Sequence, residues 1–383
     1  MSLSPFYAWL QRCLANRYWR LRVVIACVAA AAIAQLPPVR HTYRQLVYGT
    51  ELEITFRILR QQIANPWQTY STDAITHVSK MVFRLTLPLL ARALHLEIGQ
   101  ILLLQVALGI LMYWLLAAAL ARMLADRVAG ALLALGLSGT YFGYAFITEL
   151  RGCFDAYCYA LLTAALVARR GWLVGGLVVV GSFVDERMLL ASPLLVLWYG
   201  VAAYGWQDTS AWRYLLTRRA GAVYAAWVVY AGLRLYLTLH YHLPTYTGLV
   251  GLDALRVNLQ AEWMPIGYLS AWKSYLLLPL MAALVLARRQ AYGLLALLGL
   301  CAAPICFGCV LVTDITRSLA YSGPLLFSSV HLLGRVATLA QRRGLALLLA
   351  MGALLLPSYH VLGRVQYQPS VLMAGLRWLL ERA

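Results

Sequence analysis

The triplet Asp185-Glu186-Arg187 interrupts an otherwise apolar stretch that runs from residue 171 to residue 205. An ionised side chain inside a bilayer costs roughly 2.5–3.5 kcal/mol on insertion scales, so it needs a partner, water or a function. Carboxylates break the apolar sequence in the same way at Asp73, at Glu149 with Asp155, at Glu262 and at Asp314. Together these residue types suit group transfer from a phosphate. A carboxylate takes the proton of an attacking hydroxyl. A guanidinium grips phosphate oxygens in bidentate fashion while charge develops on the leaving group. Asp73, the interrupted pair Glu51/Glu53, Asp185 and Glu186 are the candidate catalytic carboxylates. Glu149, Arg151, Asp155, Arg187, Asp314, Arg317 and His77 are the candidates for contacting substrate, with Arg317 as the phosphate contact.

Each candidate has a plainer reading. Glu51, Glu53 and Asp73 equally suit solvated loop acids. Glu149 and Asp155 flank Arg151 and could pair with it at a helix turn, and the triplet could be held by Arg151 or Arg317. Asp314 and Arg317 have the i,i+3 spacing that pairs side chains on one helix. A lone loop histidine such as His77 is usually a surface residue.

Composition sets the class. Of 383 residues, 62% are hydrophobic and 12% charged, against about 25% charged in a soluble domain. The mean hydropathy is +0.71. The chain therefore reads as one polytopic membrane domain over residues 1–383. The net charge of +18 does not mark a nucleic-acid partner, because the arginines stand at the ends of apolar runs, where they act as topology signals and lipid-headgroup contacts.

The elements that must position the acids follow from run length and arginine placement. A basic tail over 1–22 precedes an apolar helix at 23–38, ended by Pro37-Pro38 and read as an uncleaved anchor. A long amphipathic section occupies 39–97. Apolar segments then lie at 98–120, 128–148, 153–168, 171–184, 188–205, 220–239, 271–287, 291–312, 318–334 and 345–362, with a tail at 363–383. This predicts an all-α fold of about eleven crossings. The doublets Arg169-Arg170, Arg218-Arg219, Arg288-Arg289 and Arg342-Arg343 occupy short turns, where the positive-inside rule is strongest. With a cytoplasmic N-terminus all four fall inside, and of the 14 acids only Asp126 and Asp208 join them. That assignment requires 171–205 to be two helices with the triplet at the outer turn; a single crossing would put three doublets outside. The runs 153–168 and 171–184 are short, about 20–24 Å, which implies a recessed, acid-lined cavity open to the outside.

Within 39–97, residues 50–62 place Leu52, Phe56 and Leu59 on one face, with Arg57 and Arg60 elsewhere. Residues 75–95 mix apolar positions with Lys80, Arg84 and Arg92. Both read as helices in the interface plane, joined by a turn at Asn65-Pro66.

This layout resembles the GT-C superfamily of polytopic glycosyltransferases. It shares one N-terminal crossing, a long first external loop with Glu51-Leu52-Glu53, Asp73 and two interfacial helices, and then many crossings with short arginine turns. The resemblance implies a catalytic Asp or Glu in that loop and a polyprenyl-phosphate-linked sugar as donor substrate. It also implies a glycan, lipid or protein acceptor and an inner (plasma) membrane location. No cofactor is specified; a divalent metal is compatible with the chemistry.

The rival functions are a lipid-linked glycan flippase or transporter, a glycan polymerase and a membrane O-acyltransferase. No inverted repeat supports a transporter. His331 and His360 stand isolated in the sequence and give little to an acyltransferase. Cys301, Cys306 and Cys309 have no acidic or histidine neighbours and do not suggest a metal site. Cys153 and Cys158, five apart on one helix, are not expected to form a disulfide. No Walker, GxGxxG, HExxH or nucleophile-elbow motif occurs.

Overall fold

The protein, seen in a computed structural model, is described over residues 4–35, 54–68, 81–149, 152–206, 210–244, 251–260, 263–312, 314–361, 365–368 and 371–381. Helices dominate. The first half holds α1 (Ser4–Ala15), α2 (Trp19–Ala34), α3 (Ile54–Ala64), α4 (Thr86–Leu94), α5 (Ile98–Leu124), α6 (Arg127–Leu137), α7 (Tyr141–Thr148), α8 (Asp155–Val167), α9 (Gly171–Ser182), α10 (Arg187–Ala191) and α11 (Pro193–Tyr204). The second half holds α12 (Arg218–Tyr241), α13 (Leu252–Gln260), α14 (Trp263–Trp272), α15 (Leu277–Arg288), α16 (Tyr292–Gly308), α17 (Ile315–Ala320), α18 (Gly323–Val336), α19 (Leu339–Leu355) and α20 (Val371–Leu380). Two short strands, β1 (Ser358–Val361) and β2 (Val365–Gln368), pair antiparallel with Ser358 opposite Gln368.

Among the described residues, four helices are long and apolar enough to cross a membrane: Ile98–Leu124, Arg187–Tyr204, Arg218–Tyr241 and Trp263–Arg288. A fifth results if α6 and α7, bent by 55° at their junction, count as one. The all-α expectation holds, and the expected count of about eleven crossings is not supported. Helices do form where the apolar runs predict them, but backbone breaks divide the runs. The bend at Ser138–Thr140 splits 128–148, and a break at Tyr321-Ser322, with Gly323-Pro324 opening the next helix, divides 318–334. Helices α8 and α9 have 13 and 12 residues, about 18–20 Å against a hydrocarbon core of about 30 Å. The run 345–362 is not one helix: α19 stops at Leu355 because Pro357 cannot continue it, and the chain turns into β1. Of the two helices expected in 39–97, α3 covers most of 50–62 and α4 only Thr86–Leu94 of 75–95, with Val82–Leu85 not helical; residues 36–53 and 69–80 lie outside the described residues.

Local chemistry fixes the helix ends. Glu97 and Gln100 form a reciprocal capping box at the start of α5, and Thr338 and Gln341 do the same for α19. Asp126 caps α6 by accepting from Ala129 N at 3.0 Å. The bend between α6 and α7 needs a glycine, since a Cβ on Gly143 would lie 1.9 Å from the Leu137 carbonyl oxygen. Buried rings bridge the layers: Tyr113 donates to Gly143 O at 2.9 Å, Tyr275 to Leu133 O at 2.6 Å, and Trp272 to Ser322 Oγ at 2.9 Å.

The bundle has two unlike poles. At one, Arg219 Nε donates to Arg169 O at 3.1 Å, Arg342 to Leu124 O at 2.6 Å, and Arg343 pairs with Asp126 at 2.9 Å. Arg127 reaches Leu14 O at 3.2 Å and so brings α1 to the same pole. Segment 171–205 folds as a hairpin whose two outer ends lie at this pole and whose turn, Asp185-Glu186, lies at the other. Helix α8 likewise runs from Asp155 at the far pole to the Arg169 turn.

Candidate functional site

At the pole opposite the arginine turns, carboxylates and guanidiniums alternate in one chain of contacts. Arg84 Nη2 lies 2.8 Å from Asp185 Oδ2. Asp185 Oδ1 accepts from Arg187 Nε at 2.7 Å, and Arg187 Nη2 reaches Asp155 Oδ1 at 2.7 Å. Asp155 Oδ2 accepts from Arg317 Nε at 2.6 Å, Arg317 Nη1 lies 2.8 Å from Asp314 Oδ2, and Asp314 Oδ1 is 3.3 Å from His360 Nε2. Tyr321 Oη donates to Asp155 Oδ1 at 2.9 Å, and Arg187 Nη1 to Ser318 Oγ at 3.1 Å. The guanidinium carbon of Arg187 sits 5.0 Å from the Tyr321 ring centroid, within cation–π reach.

The backbone holds each member in place. Asp155 opens α8 after two left-handed residues, Gly152 at φ 84° and Phe154 at φ 57°. A Cβ on Gly152 would lie 2.9 Å from Thr55 Oγ1, so the first turn of α3 is seated directly against this turn. Asp185 leaves α9 with its carboxylate accepting from the Arg187 backbone N–H at 3.0 Å. Asp314 caps α17, accepting from Arg317 N at 3.4 Å. Thr86 bonds α4 to the end of α9 through Phe183 O and Val180 O, which carries Arg84 to Asp185. Val361 N donates to Thr316 Oγ1 at 3.1 Å and fixes β1, and with it His360, against α17.

Asp155 and Asp185 are fully buried, and Asp314, Arg317 and His360 nearly so. Three carboxylates face three guanidiniums, so these six charges balance one another. Such a set is strongly destabilised when one member is removed, because its partner is left as an uncompensated charge. The carboxylate oxygens face guanidinium, hydroxyl, backbone N–H and imidazole donors, a setting that does not suit a divalent cation. Among the described residues no group of three His, Cys, Asp or Glu side chains is arranged to hold a metal ion.

The sequence candidates divide. Asp155, Asp185, Arg187, Asp314 and Arg317 come together. Glu186 does not join them: it is about half exposed and pairs with Arg234 at 3.2 Å, which also donates to Tyr230 Oη at 2.8 Å. The recess expected to unite the triplet is, for these five residues, a packed ion-pair network. Glu149 is buried nearby, its carbonyl oxygen accepting from Gln105 Nε2 at 3.1 Å. Glu51, Glu53, Asp73, His77 and Arg151 lie outside the described residues. Arg84, Tyr321 and His360 were not among the candidates. For Arg84 the sequence carried only the general requirement that a buried acid have a cation, without saying which. His360 follows the helix-ending Pro357 and so could not be part of an apolar crossing.

Beside the network an apolar cavity of about 750 Å³ runs between α3 and α5, lined by Phe56, Ile63, Leu102 and Val106, with Arg60 and Glu97 as its charged residues. It adjoins the network through α3, whose Thr55 touches Gly152 and whose Phe56 lines the cavity. All seven cysteines are free.

In comparisons with known proteins, no family profile, no curated sequence and no solved structure matches this chain.

Proposed function

We propose that this chain is an integral membrane transferase that moves a sugar from a polyprenyl-phosphate donor to a glycan, lipid or protein acceptor. It works at the pole opposite the arginine turns. The N-terminus is cytoplasmic and the working face external in the inner membrane, following the positive-inside rule. One observation carries the reading: the buried charge network, drawn from several distant segments, abuts α3 of the first loop beside an apolar cavity able to take a prenyl chain. In this reading Arg60 lies at the phosphate end of that cavity. The network serves as the rigid floor, because its guanidiniums are already committed to carboxylates. The base comes from the first-loop acids Glu51, Glu53 or Asp73. Membership of the GT-C superfamily is part of the same proposal. A flippase for lipid-linked glycan is the second reading, and the burial of so many charges is the observation in its favour.

The test is release of radiolabelled sugar from a panel of polyprenyl-phosphate donors by the full chain in proteoliposomes. Transfer should fall by about 100-fold or more in one of Glu51→Gln, Glu53→Gln or Asp73→Asn, with the protein still folded. Movement of intact donor across the bilayer without sugar release would support the flippase. No release and no movement with any donor would refute both.

A further inference from the structure

At the arginine pole a second cavity, about 360 Å³, is built from helix ends that have nothing to do with the charge network. Its polar lining is Arg122, Arg169, Arg219 and His331, and its apolar wall includes Leu166 and Trp198. Several of the acceptors around it are already used. Ala118 O takes Arg122 Nε at 3.1 Å, Arg169 O takes Arg219 Nε at 3.1 Å, and Leu166 O takes Trp198 Nε1 at 2.8 Å. Ala165 O takes the Tyr199 hydroxyl. What remains is an excess of donors: the Nη groups of Arg122 and Arg219 and the whole guanidinium of Arg169 have no hydrogen-bond partner among the described residues, and the Arg219 guanidinium lies 5.5 Å from the Tyr199 ring centroid.

His331 adds another donor. Trp206 Nε1 lies 3.1 Å from His331 Nδ1, and an indole N–H can only donate, so Nδ1 accepts and the neutral ring carries its proton on Nε2. The Trp198 ring, edge-on with centroids 5.7 Å apart, holds the imidazole in place. No carboxylate belongs to the described lining.

We infer that this cavity binds the phosphodiester headgroup of an anionic phospholipid. Phosphate oxygens match a donor-rich site with three guanidiniums, and basic pockets between helices on the cytoplasmic side are where such headgroups bind. The apolar wall beside the arginines commits the site to a lipid over a free anion, since it offers glycerol and acyl carbons a surface that inorganic phosphate cannot use. The inference needs the chain to sit in a membrane but is independent of sugar transfer.

The test uses the full chain in phosphatidylcholine nanodiscs, with bound lipid counted by native mass spectrometry as phosphatidylglycerol is added. Phosphatidylglycerol should be retained preferentially. Arg169→Gln with Arg219→Gln should cut that preference by about 30-fold, while Arg288→Gln with Arg289→Gln leaves it unchanged. Arg169→Gln alone, which removes no internal bond among the described residues, should cut it by about five-fold and covers the case in which the double variant fails to fold. The inference fails if the Arg169 and Arg219 variants keep the preference, if the Arg288 and Arg289 pair lowers it equally, or if phosphatidylcholine is held as tightly. Displacement of the lipid by millimolar inorganic phosphate would mean a free-anion site and would also overturn it.

Discussion

Arg187 Nη2 lies 2.7 Å from Asp155 Oδ1, an ion pair that ties the turn of the α9–α11 hairpin to the first residue of α8. Asp155 uses its other oxygen on Arg317, so one carboxylate fastens three separate segments. Replacing Asp155 with Asn keeps the shape and leaves two buried guanidiniums short of charge. The expected loss is about 3–5 kcal/mol, read as a large drop in Tm in detergent. Tyr321→Phe removes a single hydrogen bond to the same carboxylate and should cost about 1.5–3 kcal/mol. Equal, small effects from both would mean that Asp155 is reached by water and is not the keystone of the network.

Arg84 and Asp185 offer a sharper measurement, since they join the first loop to the bundle through a contact of 2.8 Å. A double-mutant cycle with Arg84→Gln and Asp185→Asn should give a coupling of about 0.5–3 kcal/mol. If Asp185 is instead a catalytic base, Asp185→Asn should abolish sugar transfer without a matching loss of Tm. A coupling near zero would detach the loop from the network.

Much of this arrangement was legible in the sequence. The apolar hairpin 171–205, with its charged turn, follows from run length and from keeping the arginine doublets together. The Asp314–Arg317 pair follows from helical spacing. What the sequence hid is non-local. Nothing in the pattern around Arg84 links it to Asp185, 101 positions later, because the link runs through Thr86 and the end of α9. His360 looked isolated because Pro357 turns the chain back into a strand, which hydropathy does not register. The expected number of crossings goes unsupported for a related reason: hydropathy sums over Ser138–Thr140, where the helices bend by 55°, and over Tyr321-Ser322, where the helix breaks.

The arginine pole has its own pH signature. Burial raises the pKa of Asp126, but hydrogen bonds from Arg343 and the Ala129 N–H, with the charge of Arg343, outweigh it and hold the carboxyl below its ordinary value. A carboxylate depressed in the folded state stabilises the protein above its unfolded pKa, about 3.9, and loses that contribution as pH falls through its folded value. Asp126→Asn keeps a helix cap and removes the ion pair. Its Tm should therefore lie below the parent's at pH 6 and converge with it below about pH 4. A constant gap down to pH 2.5 would show that the Arg343 contact contributes nothing.

In the proposed arrangement the charge network and the arginine turns face opposite sides of the membrane, with the network outside. Single cysteines placed by Arg170→Cys, Arg343→Cys, Glu186→Cys and Asp253→Cys test this with a membrane-impermeant maleimide on intact cells and on inverted vesicles, the parent chain serving as the blank. Positions 186 and 253 should label from outside only, and positions 170 and 343 from the cytoplasmic side only. Labelling of 170 and 186 from the same side, or of 186 from the cytoplasm, would contradict the two-pole arrangement and the external site with it.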